Sequence, residues 1–296
     1  MIEDARLARV CVMYTLSLRL ASLMCECTNS PICVCTVSLD PFLCVHTRFA
    51  RVYVRKMFNI GHLFKIRAPL SAHTRSHLVR VYSLLFVGVL SAVVGCVLDM
   101  HYTRFGGLLT ALIGAISFAA ARSSSGNKSN LNGIILFLLG TGLEGMSLSP
   151  IIFTASVYYP KALTTAILSS VAIFGSFSLA AIFAKRREFL FLGGILATGA
   201  SFLCMASITN IFIRSQFIMD IQVYLGLAMF VGYVLVDTQM MIERFETGQY
   251  MRNNFVRPAC DLFMDLIAVF VRILIILMRK QEKKRYSNTS NDRRYR

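Results

Sequence analysis

Charged residues are scarce in this sequence. They make up 16% of the 296 residues, whereas hydrophobic residues make up 56% and the mean hydropathy is +0.62. In soluble domains about a quarter of all residues are usually charged, so the composition argues against a water-soluble globular domain. An apolar surface of this extent needs lipid to cover it.

Catalytic motifs are missing as well. The chain has no Gly-x-Ser-x-Gly nucleophile elbow, no His-Glu-x-x-His zinc motif and no phosphate-binding Gly-Lys-Ser/Thr run. A zinc hydrolase would need histidines beside the acids of the later apolar segments. All five histidines of this chain precede those segments. Neither the Tyr-Asp nor the Gly-x-Gly-Asp setting of intramembrane aspartyl proteases occurs. We therefore predict that the protein is not an enzyme and holds no cofactor.

The cysteines give no disulfide framework. Six of the nine lie in residues 1–56, where two pairs are separated by a single residue, unlike a CxxC zinc or redox motif. This segment also lacks clear periodicity, and its one apolar stretch is interrupted by Arg19. A more orderly segment begins at Met57. We interpret residues 1–56 as an atypical cysteine-rich extension that is either disordered or a wrongly assigned start.

Apolar blocks fill the chain from residue 81 to residue 278. They have the length needed to cross about 30 Å of hydrocarbon, and they lack the alternation of barrel strands. The predicted fold is an all-α membrane protein with a bundle of seven transmembrane helices. The predicted organisation is a basic lead-in (57–80), a transmembrane domain (81–278) and a basic, disordered tail (279–296). The blocks are residues 81–98, 105–121, 131–157, 163–184, 189–207, 221–242 and 261–278.

The net charge of +16 lies between and beyond the apolar blocks. We interpret it as a set of topology determinants and lipid headgroup contacts, and not as a nucleic-acid surface, which would need stacking aromatics interleaved with arginine. Loops on the amino-terminal side carry two to four Lys or Arg each, and the opposite loops carry one each. The amino terminus is therefore predicted to be cytosolic.

The carboxyl-terminal tail conflicts with this orientation. Its eight basic residues would lie on the non-cytosolic side if the last block spans. Either the last block does not fully span or the tail violates the charge rule. Because this block contains several ionisable residues, a re-entrant or cavity-facing placement is physically reasonable.

Few ionisable residues fall inside the apolar blocks, and these are the functional candidates. Asp261 and Asp265 are four residues apart and so share one helix face, to which Arg272 returns. Asp237 lies near the end of the sixth block. Glu144, the fourth acid, lies among glycines, where close helix approach would bury it or a kink would expose it to a cavity.

Asp237 and one of the later aspartates are expected to meet. A short loop places the end of the sixth block beside the start of the seventh. Two adjacent carboxyl groups in a medium of low dielectric constant cannot both ionise cheaply, so they should share a proton. Such a pair is suited to a proton-controlled gate or a transient cation site. The alternative is structural: the acids cap helices or pair with Arg272, Arg257 or Lys280.

Three segments resemble the Bax inhibitor-1 family, also called the transmembrane Bax inhibitor motif family. They are Lys185-Arg-Arg-Glu-Phe-Leu-Phe-Leu-Gly-Gly194, Tyr224-Leu-Gly-Leu with Tyr233-Val-Leu-Val-Asp-Thr-Gln239, and Cys260-Asp-Leu-Phe-Met-Asp-Leu-Ile267. The resemblance runs from about Met57 to Lys284. One departure is Ser149-Pro150, where family members usually have Gly-Pro followed by an acid.

The resemblance implies a Bax inhibitor-like seven-helix bundle in the endoplasmic reticulum membrane, a pH-sensitive calcium leak and suppression of cell death. It implies that Asp237 and Asp265 form the proton-sharing pair, with Asp261 close by. Calcium is then the transported ion and would contact Asp237 and Asp265 transiently. Expected partners are the bilayer, protons, calcium ions, and Bcl-2-type death regulators or calcium-release channels. The alternatives are a non-conducting adaptor for such regulators or a proton-coupled calcium exchanger.

Overall fold

The computed structural model describes residues 72–103, 107–124, 130–184, 192–213, 215–248 and 254–294. The predicted extension of residues 1–56 and most of the lead-in lie outside these ranges. The described residues form seven α-helices, and a short π-helical turn, Asp99–Thr103, follows the first. The helices are α1 Ala72–Leu98, α2 Leu108–Ser124, α3 Asn130–Tyr158, α4 Pro160–Phe183, α5 Leu192–Ile213, α6 Gln216–Glu246 and α7 Val256–Arg294.

Five of these helices, α1 and α3 to α6, are long and apolar enough to cross a membrane. Helix α2 is apolar but shorter. Helix α7 is the longest, and its apolar part is interrupted by Asp261, Asp265 and Arg272. The prediction of an all-α membrane protein with a seven-helix bundle is confirmed.

Helix α7 lies at the centre of the bundle. It packs against α1, α2, α3, α4 and α6, whereas α5 packs mainly against α6. Phe263 of α7 is fully buried and stacks with Phe118 of α2, and Phe137 of α3 contacts both rings edge-on. The bundle core is therefore built around the last helix of the chain.

Helices α6 and α7 run antiparallel along their shared length. Asp237 meets Asp265 at one end, Gly226 lies against Arg272 in the middle, and Asp220 pairs with Arg279 at the other end. Asp265 and Arg272 of α7 are buried among the surrounding helices, which agrees with a cavity-facing placement of this block. Its re-entrant or spanning course through the membrane stays a prediction.

Helices α1 and α3 approach each other at glycines. A Cβ atom on Gly145 would lie 1.9 Å from the carbonyl oxygen of Ala92, and one on Gly95 would lie 2.1 Å from that of Gly142. Only glycine permits this contact, which resembles the small-residue packing of membrane helices. A different glycine, Gly248, ends α6 with a positive φ of 70°, a conformation that glycine adopts without strain.

Two helix boundaries differ from the sequence prediction. Helix α1 begins at Ala72, so the last residues of the basic lead-in are helical. Helix α7 continues to Arg294, where the sequence predicted a disordered tail. Polarity alone did not reveal this extension, because a helix that leaves the membrane keeps its backbone hydrogen bonds while its side chains become charged.

Candidate functional site

The predicted acid pair forms between α6 and α7. The carboxyl groups of Asp237 and Asp265 lie close enough to each other to share a hydrogen bond. Asp265 is 6% exposed, and Asp237 is half-buried. The antiparallel packing of α6 on α7 brings the two residues together, as the short connection between their blocks predicted. Residue spacing alone did not distinguish Asp261 from Asp265 as the partner of Asp237. The structure shows that the partner is Asp265.

Asp261 has a different partner. Arg122, in the last turn of α2, donates a hydrogen bond to its carboxylate and forms an ion pair with it. Asp261 is the sixth residue of α7, so it is not a cap or a first-turn acid. The sequence analysis offered Arg257, Arg272 or Lys280 as ion-pair partners of the acids. It did not include Arg122, because only the fold brings α2 to the start of α7.

The charges around Asp237 form a small network. The carboxylate of Asp261 and the guanidinium groups of Arg122 and Arg244 all lie close enough to act on it electrostatically. The two arginines stabilise negative charge on Asp237, and Asp261 opposes it. The local balance of charge therefore depends on whether Arg122 remains paired with Asp261.

Arg272 shares the helix of the acid pair but contacts other groups. It is 3% exposed, donates a hydrogen bond of 3.0 Å to the carbonyl oxygen of Ala268, and lies 4.2 Å from the ring centre of Phe230. Its guanidinium group also packs against Gly226. A cation–π contact and a carbonyl acceptor offset part of the cost of burying this charge. Arg272 therefore holds α7 against α6.

Glu144 is buried in α3 with 1% exposure. Its carboxylate lies beside Gly114 of α2, and the hydroxyl group of Ser147 is 3.4 Å from one of its oxygens. Close helix approach thus buries this acid, which was one of the two outcomes expected for it.

Sequence reasoning missed Asp99. It lies in the π-helical turn, is 2% exposed, and accepts a hydrogen bond from Ser149 of α3. The sequence placed this acid just outside the first apolar block. The only sequence feature that could have indicated burial of Asp99 is its position one helical turn after Gly95. In the structure, α1 contacts α3 at Gly95. An acid therefore reaches the Ser149-Pro150 segment from another helix.

Sequence reasoning also missed a buried set of hydroxyl groups. Tyr82 of α1 is hydrogen-bonded to Ser178 of α4, and the Ser178 oxygen lies 3.4 Å from that of Thr238 on α6. Thr238 directly follows Asp237. Interhelical hydroxyl bonds of this kind hold membrane helices together, and here they hold the segment of α6 that carries Asp237.

A resident metal ion has no obvious site in the part of the chain that the structure describes. No group of three or more His, Cys, Asp or Glu side chains converges there. The Asp237–Asp265 pair supplies only two carboxyl groups. Two carboxyl groups supply at most four oxygen ligands, fewer than the six to eight that calcium takes when it is bound firmly.

The fold and the site define a class of protein: a multi-pass membrane protein whose central helix brings ionisable residues into the bundle. The sequence model of the family described as "Inhibitor of apoptosis-promoting Bax1" matches residues 74–282. The chain belongs to the Bax inhibitor-1 family, and this confirms the resemblance. Membership also agrees with the prediction that the protein is not an enzyme.

Curated relatives match over most of their length. Bax inhibitor 1 from Arabidopsis thaliana is 37% identical over 73% of this chain and 85% of that protein. Probable Bax inhibitor 1 from Paralichthys olivaceus is 33% identical over 76% of this chain and 97% of that protein. Bax inhibitor 1 from Homo sapiens is 32% identical over 79% of this chain and 98% of that protein.

Proposed function

We propose that this protein is a pH-sensitive calcium leak of the endoplasmic reticulum membrane that suppresses cell death. The observation that carries the proposal is the close approach of the carboxyl groups of Asp237 and Asp265 inside the bundle. Two carboxyl groups this close in a medium of low dielectric constant cannot both ionise cheaply, so one proton is shared between them in this proposal. The protonation state of the pair is then the gate.

The gate works through charge repulsion. When the shared proton leaves, two negative charges face each other inside the bundle, and they repel one another and attract water and cations. Calcium ions would contact both carboxylates in passing, since oxygen is the ligand they prefer. Protonation restores the hydrogen bond and closes the path. Arg122 and Arg244 moderate the repulsion, and Asp261 adds to it when Arg122 releases it.

Biological role and orientation rest on two further arguments. The relatives are named as Bax inhibitors, which supports a role in suppressing cell death. We propose Bcl-2-type regulators or calcium-release channels as partners in that role. The excess of Lys and Arg in alternate loops supports a cytosolic amino terminus. In the reticulum membrane, a passive leak would lower the calcium store available to death signals.

The test measures calcium efflux from proteoliposomes as a function of pH. Efflux through the wild-type protein should rise with pH, and Asp237→Asn and Asp265→Asn should each flatten this dependence, because an asparagine cannot lose the shared proton. The matched control is Glu282→Gln, which removes a carboxylate from the same helix, 17 positions beyond Asp265. This control should keep the wild-type pH profile.

Three outcomes contradict the proposal in different ways. An unchanged pH profile in both Asn variants removes the role of the pair. Absence of efflux through the purified wild-type protein favours a non-conducting adaptor. Saturable transport that needs a pH gradient favours a proton-coupled exchanger.

A further inference from the structure

A charged cleft lies at the far end of the bundle from the acid pair. It forms where the first turns of α6 meet α7, and its charged wall contains Asp220, Arg279, Lys280 and Lys283. Arg279 follows Asp265 by 14 residues, which is about 21 Å along a helix. The cleft is therefore separate from the site described above.

The cleft has an excess of positive charge. Arg279 is paired with Asp220, the only acid among the lining residues. Lys280 and Lys283 are exposed and three residues apart, so their ammonium groups reach the same side of the helix. Among the described residues, neither lysine makes an ion pair with a carboxylate. The cleft can accept an anion without losing an existing contact.

The other wall of the cleft is apolar and continues into the lipid-facing surface. Val223, Tyr224 and Ile276 line it, and Tyr224 is 60% exposed. Its α6 neighbours Ile221 and Leu225 are 41% and 40% exposed. In a membrane helix such exposed apolar side chains face acyl chains, and a tyrosine beside them is typical of the headgroup level. The cleft thus joins cationic and acyl-facing surfaces at one depth.

A soluble anion would use only the cationic half of this arrangement. An anionic phospholipid would use both halves, with its headgroup at Lys280 and Lys283 and an acyl chain along Tyr224 and Ile276. We propose that the cleft binds one anionic phospholipid of the surrounding bilayer. The bound lipid would connect the start of α6 to the extension of α7 beyond Arg279.

Native mass spectrometry of the purified full-length protein tests this proposal. The probes are phosphatidylserine, phosphatidylcholine and inorganic phosphate, each added to delipidated protein in detergent. The wild-type protein should retain one phosphatidylserine in preference to phosphatidylcholine. Lys280→Gln with Lys283→Gln should lower this retention roughly tenfold or more, as expected for the loss of two headgroup contacts.

The matched control is Lys161→Gln with Lys284→Gln. Both lysines are exposed and neither lines the cleft, while the loss of charge is the same. The control should retain phosphatidylserine like the wild type. Equal loss in both double variants would show diffuse surface attraction and overturn the proposal. So would equal retention of phosphatidylserine and phosphatidylcholine, or displacement of the lipid by millimolar inorganic phosphate.

Discussion

Helices α5 and α7 differ in both charge and position. Helix α5 has no ionisable side chain except that of Cys204 and lies at the edge of the bundle, packed mainly against α6. Helix α7 carries Asp261, Asp265 and Arg272 and lies at the centre. In a soluble protein the more polar helix would lie outside. Here lipid is the solvent, so the helix with charges is the one that the others enclose.

The largest expected effect comes from giving α5 a charge. Phe202 lies midway along α5 and is 62% exposed, so Phe202→Asp would place a carboxyl group in lipid. We expect a cost of about 3 kcal/mol in insertion or folding, and loss of most folded protein from the membrane fraction. Phe202→Leu is the control and should insert normally. Normal yield of the Asp variant would mean that α5 is covered by protein.

A second variant pair tests the central position of α7. Phe263→Ala removes a fully buried ring that stacks with Phe118 and contacts Phe137. We expect a loss of about 3 kcal/mol, because the cavity cannot be filled from lipid. Thermal unfolding in detergent should show a clear fall in Tm, whereas Phe202→Ala should leave it nearly unchanged. Equal shifts would contradict the contrast between the two helices.

Two glycines on α5 and α6 offer a finer comparison. A Cβ atom on Gly226 would lie 2.5 Å from Nε of Arg272, whereas one on Gly199 would lie 3.0 Å from the Met229 sulfur. Arg272 is held by Ala268 and Phe230, but a methionine side chain adapts. Gly226→Ala should therefore destabilise by about 1 to 3 kcal/mol, and Gly199→Ala by less. The same Tm measurement compares them, and the reverse order would show that Arg272 is mobile.

The smallest expected effect concerns the anchor of α7 on α2. Arg122 and Asp261 are 12% and 20% exposed, so their ion pair is only partly screened by solvent. Arg122→Gln should cost about 1 kcal/mol. A double-mutant cycle with Asp261→Asn measures the coupling, and additive effects of the two changes would mean that the pair contributes nothing.

The membrane class and the candidate acids could be predicted from the sequence. Long apolar blocks and rare internal charges carry that information, because hydrocarbon imposes the same length and the same penalty on every span. The meeting of Asp237 with a later aspartate followed from the short connection between neighbouring helices. The choice of Asp265 over Asp261 depends on the rotation of α7 about its axis, which residue spacing does not give. The family resemblance implied Asp265.

Contacts between helices distant in the sequence were not predictable. Arg122 was assigned to a loop, and Asp99 was placed outside the first block. Both positions acquire partners only when α2 meets α7 and α1 meets α3. Nothing in the sequence distinguished the hydroxyl groups of Tyr82, Ser178 and Thr238 from others, because they lie on three separate helices and meet only in the folded bundle.

The sequence by itself determined that this protein crosses a membrane and that few of its charges must lie within it, since apolar length and charge cost are local properties. Beyond the meeting of acids from the last two helices, only the tertiary structure decided which charges meet, because partners depend on how helices rotate and pack. It also decided that the last helix, interrupted by three charges, occupies the centre. The cost of exposing those charges to lipid is avoided only when the other helices surround them.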